Sequence, residues 1–141
     1  MTTPDIPLGD ARALHPREWA PPRGYVDGVV ASGRLVVLAG QIGWDPRTAA
    51  FESDDFVAQV RQTLANVARL LDEAGTEPRH LVRLTWFVTD RAAYLSSRRE
   101  IGAAYREVIG MHYPPMSVVF VSALVEERAK VEIEATAVVP P

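Results

Sequence analysis

The segment from 130 to 137 constrains the fold most, because apolar and polar side chains alternate along it without interruption. Successive side chains of a β-strand point to opposite faces of the sheet. The apolar members share one face: Val131, Ile133, Ala135 and Ala137. The residues between them share the other face: Glu132, Glu134 and Thr136. The pattern predicts a strand, continuing to Val139, with one buried face and two carboxylates on the opposite face.

These two carboxylates permit two interpretations. Glu132 and Glu134 either face solvent or pair with an arginine across an interface, as clustered carboxylates often do. Alternatively, the face is buried against another subunit, and one carboxylate holds or activates a water molecule as a general base. The residues alone favour the first interpretation.

The N-terminal part of the chain is rich in proline, with five prolines in residues 1–22. Proline fixes φ and lacks a backbone donor, so this part is predicted to be an extended, irregular arm. Residues 23–141 are predicted to form a single domain. Trp19 is expected to pin the arm to that domain, and the alternative is that it lines a pocket.

Two short apolar runs, 25–30 and 34–39, flank a glycine-containing turn at 31–33 and predict a β-hairpin. Gly40 and Gly43 follow the second run at once. Glycines this close together predict a bulge or a close approach of the backbone to another group.

A helix is predicted from Asp54 or Asp55, as its N-cap, to about Ala74, with Gly75 after its end. One helical stripe collects its apolar side chains: Phe56, Val60, Leu64, Val67, Leu71 and Ala74. The polar residues are expected to face away from the sheet: Gln59, Gln62, Asn66, Arg69 and Asp72.

A strand over 81–88 and a second helix from Arg91 to Ile109, ended by Gly110, follow in the sequence. The buried side of this helix is predicted to carry Tyr94, Ile101, Tyr105 and Val108. A further strand is predicted over 118–124. The order ββαβαββ predicts an α+β two-layer domain, with both helices on one face of a mixed sheet. Because the other face also carries apolar side chains, another copy of the chain is its simplest cover, and a homo-oligomer is expected.

The composition excludes several classes of function. The sequence has no cysteine, which rules out thiolate nucleophiles and thiolate metal sites. Three histidines lie far apart and are expected on the surface or in loops, so no shared metal site is predicted: His15, His80 and His112. A net charge of −3 without a basic run argues against a nucleic-acid partner. The absence of a long apolar run and of a signal-peptide pattern predicts a cytoplasmic protein with no membrane partner.

Five segments together resemble the reactive-intermediate deaminase family, also called Rid, YjgF-like or L-PSP-like. Gly24-Tyr25 resembles the family's Gly-Pro-Tyr, and Leu-Ala-Gly-Gln-Ile at 38–42 resembles its Ser-Gly-Gln-Ile. The family's closing Val-Glu-Ile-Glu-Ala-Ile-Ala resembles Val-Glu-Ile-Glu-Ala-Thr-Ala at 131–137. The segments 62–67 and 84–90 complete the resemblance, which covers about residues 24–139.

The resemblance implies a chorismate-mutase-like fold and a homotrimer with three equivalent small-molecule sites between subunits. It also implies hydrolysis of an enamine or imine to a ketone and ammonia, without metal or cofactor. The catalytic residues by this resemblance are Glu132, which positions water, and Tyr25. The substrate-binding residues predicted for the cleft are Arg23, Ala39, Gly40, Gln41, Met116 and Val118.

One position departs from the family's pattern. Deaminating members carry an arginine within Pro-Ala-Arg-Ser/Thr, whereas this chain has Met116 within Pro-Pro-Met-Ser at 114–117. The arginine forks onto the substrate carboxylate, and methionine has no donor. Losing such a contact costs about 1.5–3 kcal/mol, or more than tenfold in binding. Typical 2-imino acid hydrolysis is therefore not expected, and Arg23 is a second cation that could act from another direction.

The leading hypothesis is a Rid-like enzyme whose cleft takes a less acidic, more apolar imine, enamine or activated carbonyl. A second hypothesis is a trimer that binds a metabolite without turnover. The family's ribonuclease role ranks last, because no basic, aromatic-lined surface is evident in the sequence.

Overall fold

A computed structural model of the chain describes residues 11–22 and 25–141. The strands of this part are β1 (Arg12–Leu14), β2 (Gly28–Val30), β3 (Arg34–Ile42), β4 (Leu81–Val88), β5 (Met116–Phe120) and β6 (Val131–Val139). The α-helices are α1 (Phe56–Glu73), α2 (Arg91–Ser96) and α3 (Arg98–Val108), with a 3-10 turn at Pro78–His80. A four-stranded sheet in the order β3-β6-β4-β5 packs one face against α1 and α3. The predicted α+β two-layer fold is confirmed.

Strand β6 is the centre of the sheet. It pairs antiparallel with β3 on one side and with β4 on the other, while β5 lies parallel to β4 at the edge. The predicted alternation is observed, because its apolar face is buried against the helices: Val131, Ile133, Ala135 and Ala137. We call the opposite, helix-free side of the four-stranded sheet the open face.

Helix α1 follows from its sequence almost as predicted. The Asp55 side chain accepts a hydrogen bond from the Ala58 N–H at 2.9 Å, which caps the first turn. Gly75 adopts a positive φ of 76° after the helix ends, a conformation that favours glycine. Four apolar side chains of the stripe are fully buried: Val60, Leu64, Val67 and Leu71. Truncating a buried leucine such as Leu64 to alanine typically costs about 2–5 kcal/mol. Ala74, predicted at the end of the stripe, is exposed.

The predicted hairpin between residues 25–30 and 34–39 is wrong. In the described part of the chain, β2 pairs antiparallel with β1, so that Arg12 faces Val30 and Leu14 faces Gly28. The arm therefore supplies a strand where irregular backbone was predicted. The segment 31–33 contains a bend at Gly33, but the backbone groups of β2 are paired by the arm rather than by β3.

Trp19 does not pin the arm, because 56% of its surface is exposed in the single chain. The arm is instead attached through β1 and through His15, whose Nδ1 lies 2.8 Å from a carboxylate oxygen of Asp27. The arm is thus held by the pairing of β1 with β2 and by this side-chain contact.

The second predicted helix is interrupted. Ser97 leaves helical geometry, with φ −113° and ψ 16°, and divides the segment into α2 and α3. Ile101 and Tyr105 are buried as predicted, and Gly110 follows with a positive φ of 95°. Strand β5 ends at Phe120 instead of reaching Leu124, because residues 121–130 form a loop.

His112 lies in the loop between α3 and β5, as one of the two expected settings allows, but it is buried. Its Nε2 N–H donates to the Leu81 carbonyl at 2.8 Å, and its own carbonyl accepts a 2.5 Å hydrogen bond from the Tyr105 hydroxyl. Burial lowers the pKa of His112 below the ordinary value for histidine, although the Leu81 carbonyl opposes this effect. The imidazole thus ties the segment before β5 to the start of β4 in its neutral form.

We expect the free energy of unfolding to decrease as the pH falls below about 6.5, the ordinary histidine value. The lowered pKa of folded His112 means that the unfolded chain takes up a proton first, so acid favours unfolding. Denaturant titrations at a series of pH values measure this slope. His112→Gln keeps a donor for the Leu81 carbonyl and should flatten the slope. An equal slope in both proteins would contradict the assignment.

Candidate functional site

Glu132 lies on the open face of β6, and its side chain rests directly against Gly40 of β3. A β-carbon built at Gly40 would lie 2.8 Å from both Cγ and Cδ of Glu132, closer than real side chains approach. The close approach predicted at this glycine is therefore made by the Glu132 side chain itself. Two predicted site residues, 92 positions apart in sequence, are in contact.

Strand β3 bulges where Glu132 meets it. Leu38 faces Ala135 and Gln41 faces Ile133, so β3 has one more residue than β6 in this interval. The extra length falls at Ala39 and Gly40, and the predicted bulge is confirmed. The Gln41 side chain donates back to the Ala39 carbonyl at 3.0 Å. Backbone groups released from regular pairing thus lie beside a carboxylate, an arrangement suited to hold a small polar molecule.

Apolar residues flank Glu132 within the sheet. Ile42 of β3 and Phe87 of β4 face it across the two ladders, and Val119 of β5 faces Phe87. Residues that face one another across a ladder share a sheet face. Glu134, one row further, is exposed opposite Thr85, and none of the ion pairs in the described part of the chain includes it. In the single chain Glu134 therefore faces solvent, which is one of the interpretations that its sequence pattern permits.

Gln59 of α1 fixes the strand that carries Glu132. Its Nε2 donates to the carbonyls of Ser53 at 3.1 Å and Arg128 at 3.0 Å, and its Oε1 accepts from the Lys130 N–H at 2.9 Å. The side chain is 1% exposed, so the prediction that it faces away from the sheet is wrong. Burial is tolerated because the buried amide is hydrogen-bonded at both ends. A β-carbon at Gly43 would lie 2.6 Å from the Gln59 β-carbon, so the second glycine makes room for α1.

Asn66 lies about two helical turns after Gln59 in α1, and it fixes the strand that carries Gly40. Its Nδ2 donates to the carbonyls of Ile42 and Trp44, each at 3.0 Å, and its Oδ1 accepts from Gln62 at 2.8 Å. Asn66 was also predicted to face away and is buried. These side chains form the amide brace, which we define as Gln59 and Asn66. The brace sets the end of β3 and the start of β6 relative to one helix.

The remaining predicted site residues are not assembled around Glu132 in the single chain. Met116 and Val118 of β5 face Leu84 and Trp86, and both pack against the core on the helix side. Tyr25 is half exposed, and none of the hydrogen bonds found in the described residues connects it to Glu132. Arg23 lies outside the described residues.

The loop over 121–130 forms two grooves that were not predicted. One has a volume of about 520 Å³ and is lined by this loop together with Thr89 and Asp54. The other, of about 320 Å³, lies beside Trp44 and Phe51. Arg128 lines both grooves, and its guanidinium pairs with Asp54 at 3.0 Å and lies 5.4 Å from the Phe51 ring centre.

Within the described ranges, no group of three or more His, Asp or Glu side chains is arranged to hold a metal ion. None of the helices seen there combines the length and the apolar character that a membrane crossing requires.

Comparison with known proteins identifies the family. Residues 16–139 match the family described as Endoribonuclease L-PSP. The chain belongs to this family. It is the family also known as Rid or YjgF, so the resemblance drawn from the sequence segments is confirmed.

Named relatives of this Rid-family chain include a 2-iminobutanoate/2-iminopropanoate deaminase from Salmonella typhimurium. The two are 38% identical over 117 residues, covering 81% of this chain and 86% of the relative. The structure of YyfB from Yersinia pestis, a Rid-family protein of unknown function, is 33% identical with a TM-score of 0.76, covering 92% and 98% of the two chains. Escherichia coli TdcF with bound serine is 33% identical with a TM-score of 0.65, covering 86% and 91%. Such relatives support a deaminase-like function in general terms.

Proposed function

We propose that this protein hydrolyses an imine, an enamine or a related reactive metabolite, without a cofactor, in clefts between the subunits of a homotrimer. The observation that carries the proposal is the Glu132 side chain resting on the Gly40 bulge of the open face. A Rid-family relative named as a 2-iminobutanoate/2-iminopropanoate deaminase supports the reaction class. The serine bound to TdcF supports a small, polar ligand.

The chemistry needs one water molecule and one base. Glu132 takes a proton from water as its oxygen bonds to the carbon of the C=N group, which gives a carbinolamine. The imine reacts as its protonated, iminium form, so the nitrogen of this carbinolamine is neutral. Glu132 then returns the proton to nitrogen, the C–N bond breaks with its electron pair leaving on ammonia, and the hydroxyl proton passes through Glu132 to that ammonia, so that a ketone and ammonium leave. The backbone of Ala39 and Gly40 orients the reacting group, and Tyr25 contributes from the same cleft. An enamine enters this sequence after protonation at carbon to its imine.

By the family resemblance Met116 stands where deaminating members carry the carboxylate-binding arginine, and on that ground it is proposed to limit which imines are good substrates. Its thioether gives a substrate carboxylate no donor, and it packs against the core beside Leu84. A second candidate follows from this residue, namely a trimer that binds a small molecule without turnover. Both candidates share the cleft, and they differ in whether Glu132 performs chemistry.

We expect the unmodified protein to hydrolyse 2-iminopropanoate and 2-iminobutanoate at least about tenfold less efficiently than a relative that carries the arginine. An amino acid oxidase generates these imines in the assay, and ammonia release above the uncatalysed rate gives kcat/KM. The loss should appear chiefly in KM, since the missing contact is a binding contact. Efficient hydrolysis of both imines would show that another group holds the carboxylate, with Arg23 the first to test.

The open face provides the argument for an oligomer, and the family resemblance implies that this oligomer is a trimer. Leu35 and Val37 of β3 are 67% and 69% exposed there, and Val119 of β5 is 43% exposed. Apolar side chains on one sheet face, rimmed by polar ones, are typical of a surface that another chain covers. A second copy would also enclose the Glu132 side chain, which the single chain leaves half-buried.

Light scattering at micromolar concentration should give a mass three times that of the 15.5 kDa chain. Val37→Asp places a charge on the open face and should dissociate the assembly while leaving the circular dichroism spectrum unchanged. Val125→Asp is the matched control, because Val125 is 99% exposed in the 121–130 loop. A monomeric wild-type protein would remove the inter-subunit site.

A further inference from the structure

Lys130 is the single lysine in a sequence with 15 basic residues, and it is placed close to the proposed catalytic carboxylate. Its N–H donates to Gln59 at 2.9 Å, and its carbonyl accepts from the Thr89 N–H at 3.2 Å. The backbone is therefore held on both sides of β6 just before the strand begins. The position from which the flexible Lys130 side chain extends is therefore fixed.

Strand geometry relates Lys130 to Glu132. The Thr89–Lys130 pair continues the ladder in which Val88 faces Val131 and Phe87 faces Glu132. Residues two positions apart on a strand share a face, and their backbones are roughly 6.6 Å apart. Lys130 thus lies one row beyond Glu132, at the edge of the sheet where the two neighbouring strands end.

The groove of about 520 Å³ lies at this edge, and Lys130 is part of its lining. The other cation of the lining, Arg128, is already paired with Asp54 and stacked near Phe51. Lys130 takes part in none of the ion pairs among the described residues, and the remaining acid of the lining is the exposed Glu127. The ammonium of Lys130 is therefore the cation of this groove that a ligand can engage.

We propose that Lys130 binds an anionic group of the substrate, and that this group lies several bonds away from the carbon attacked beside Glu132. This proposal rests on the proposed function, in which Glu132 catalyses the hydrolysis. In a 2-imino acid the carboxylate is bonded directly to the imine carbon, whereas the ammonium of Lys130 forms no ion pair with Glu132 among the described residues. A carboxylate or phosphate at the far end of a longer imine or enamine can engage this ammonium while the imine carbon lies beside Glu132. The lysine ammonium acts as a point charge and can bind either a carboxylate or a phosphate, unlike the guanidinium of arginine, whose bidentate fork imposes a geometry.

This substrate class differs from the less acidic ligand expected from Met116 alone. Met116 stands near the core where deaminating members carry a cationic arginine, so this chain lacks a cation there. Lys130 supplies a cation at the opposite end of the strand ladder. Both observations agree on one point, namely that a carboxylate bonded directly to the imine carbon is poorly served. The ligand inferred from Lys130 carries a negative charge at its far end, whereas a purely apolar cleft would not require this charge.

Kinetics with two imines test this substrate class. The imines 2-iminoglutarate, with a distal carboxylate, and 2-iminobutanoate, without one, are generated by oxidases from their amino acids. Lys130→Met should raise KM for 2-iminoglutarate about tenfold, with kcat largely retained, and leave 2-iminobutanoate unchanged. Lys130→Arg keeps the charge and should keep most of the preference. Arg128→Met, which removes the other cation of the groove, should not change the preference. Equal effects of Lys130→Met on both imines would overturn the proposal.

A binding measurement separates this proposal from the proposed reaction. Reductive methylation with ¹³C-formaldehyde labels Lys130 and the terminal amine only, so the Lys130 resonance is identified by its loss in Lys130→Met. Titration with 2-oxoglutarate should shift that resonance with saturation, and 2-oxobutanoate should shift it less. A saturable shift in a protein with no turnover means that the reaction is wrong and the anion site correct. Turnover without any shift, or no binding of 2-oxoglutarate, overturns the anion site and leaves the reaction standing.

Discussion

Glu132→Gln is expected to lower kcat for imine hydrolysis by about 10²–10⁴-fold, the usual contribution of a general base. Glutamine has nearly the same shape, so it can occupy the same place against Gly40, but its amide cannot take a proton from water. Ligand affinity should therefore change little. Ammonia release measures kcat, and titration calorimetry with the ketone product measures affinity.

Glu134→Gln is the matched control for this variant. Glu134 lies on the same face of β6, exposed and opposite Thr85, and the atoms nearest to a β-carbon built at Gly40 belong to Glu132 rather than to Glu134. Its replacement should leave kcat within about twofold of wild type, as surface substitutions usually leave a protein little changed. If Glu132→Gln retained full activity, Glu132 would not be the base. If wild type and variant both bound ligand without turnover, the non-catalytic alternative would be correct.

Gly40→Ala is the second large effect we expect. The new methyl group would lie 2.8 Å from Cγ and Cδ of Glu132, so the carboxylate or the bulge must move. A displacement of about 1 Å in a catalytic group can lower the rate about 10²-fold. Overpacking of this kind also costs about 1–3 kcal/mol of stability. Steady-state kinetics and thermal unfolding report the two effects separately.

Gly102→Ala controls for the loss of a glycine. Gly102 lies within α3, and a methyl group there would meet only the flexible end of the Arg106 side chain. Alanine favours helix by up to about 1 kcal/mol over glycine, so this variant should be as stable as wild type or more so. Because Gly40 acts through Glu132, adding Gly40→Ala to Glu132→Gln should cause little further loss. Wild-type kcat/KM in Gly40→Ala alone would exclude the contact from catalysis.

Periodicity in the sequence was enough to predict the layers of the fold. The 3.6-residue stripe of α1 and the two-residue alternation of β6 each identify one buried face, and the structure confirms both. The same reasoning failed at Gln59 and Asn66. Periodicity assigns faces by polarity, and it cannot recognise an amide whose partners are backbone groups of distant loops.

Pairing partners were harder to predict than turns. The turn at 31–33 was predicted from its glycine, but the strand that pairs with β2 comes from a segment that proline had marked as irregular. The residues of a turn indicate where the chain changes direction, but they do not indicate which strand will pair with the strand next to the turn. The contact between Gly40 and Glu132 likewise depends on the register of β3 against β6. Residues alone indicated a bulge and a carboxylate, and only the family resemblance indicated that they meet.

The position of β6 has a consequence for how the protein is made. This strand lies between β3 and β4, yet it follows every other strand in the sequence. A chain emerging from the ribosome therefore carries β3 and the β4–β5 pair with unpaired edges, which are surfaces prone to aggregate, until β6 emerges and joins them. Glu132 belongs to that last segment. The Glu132 carboxylate is therefore positioned in the same step that completes the four-stranded sheet. A nascent chain without the completed sheet also lacks the positioned carboxylate.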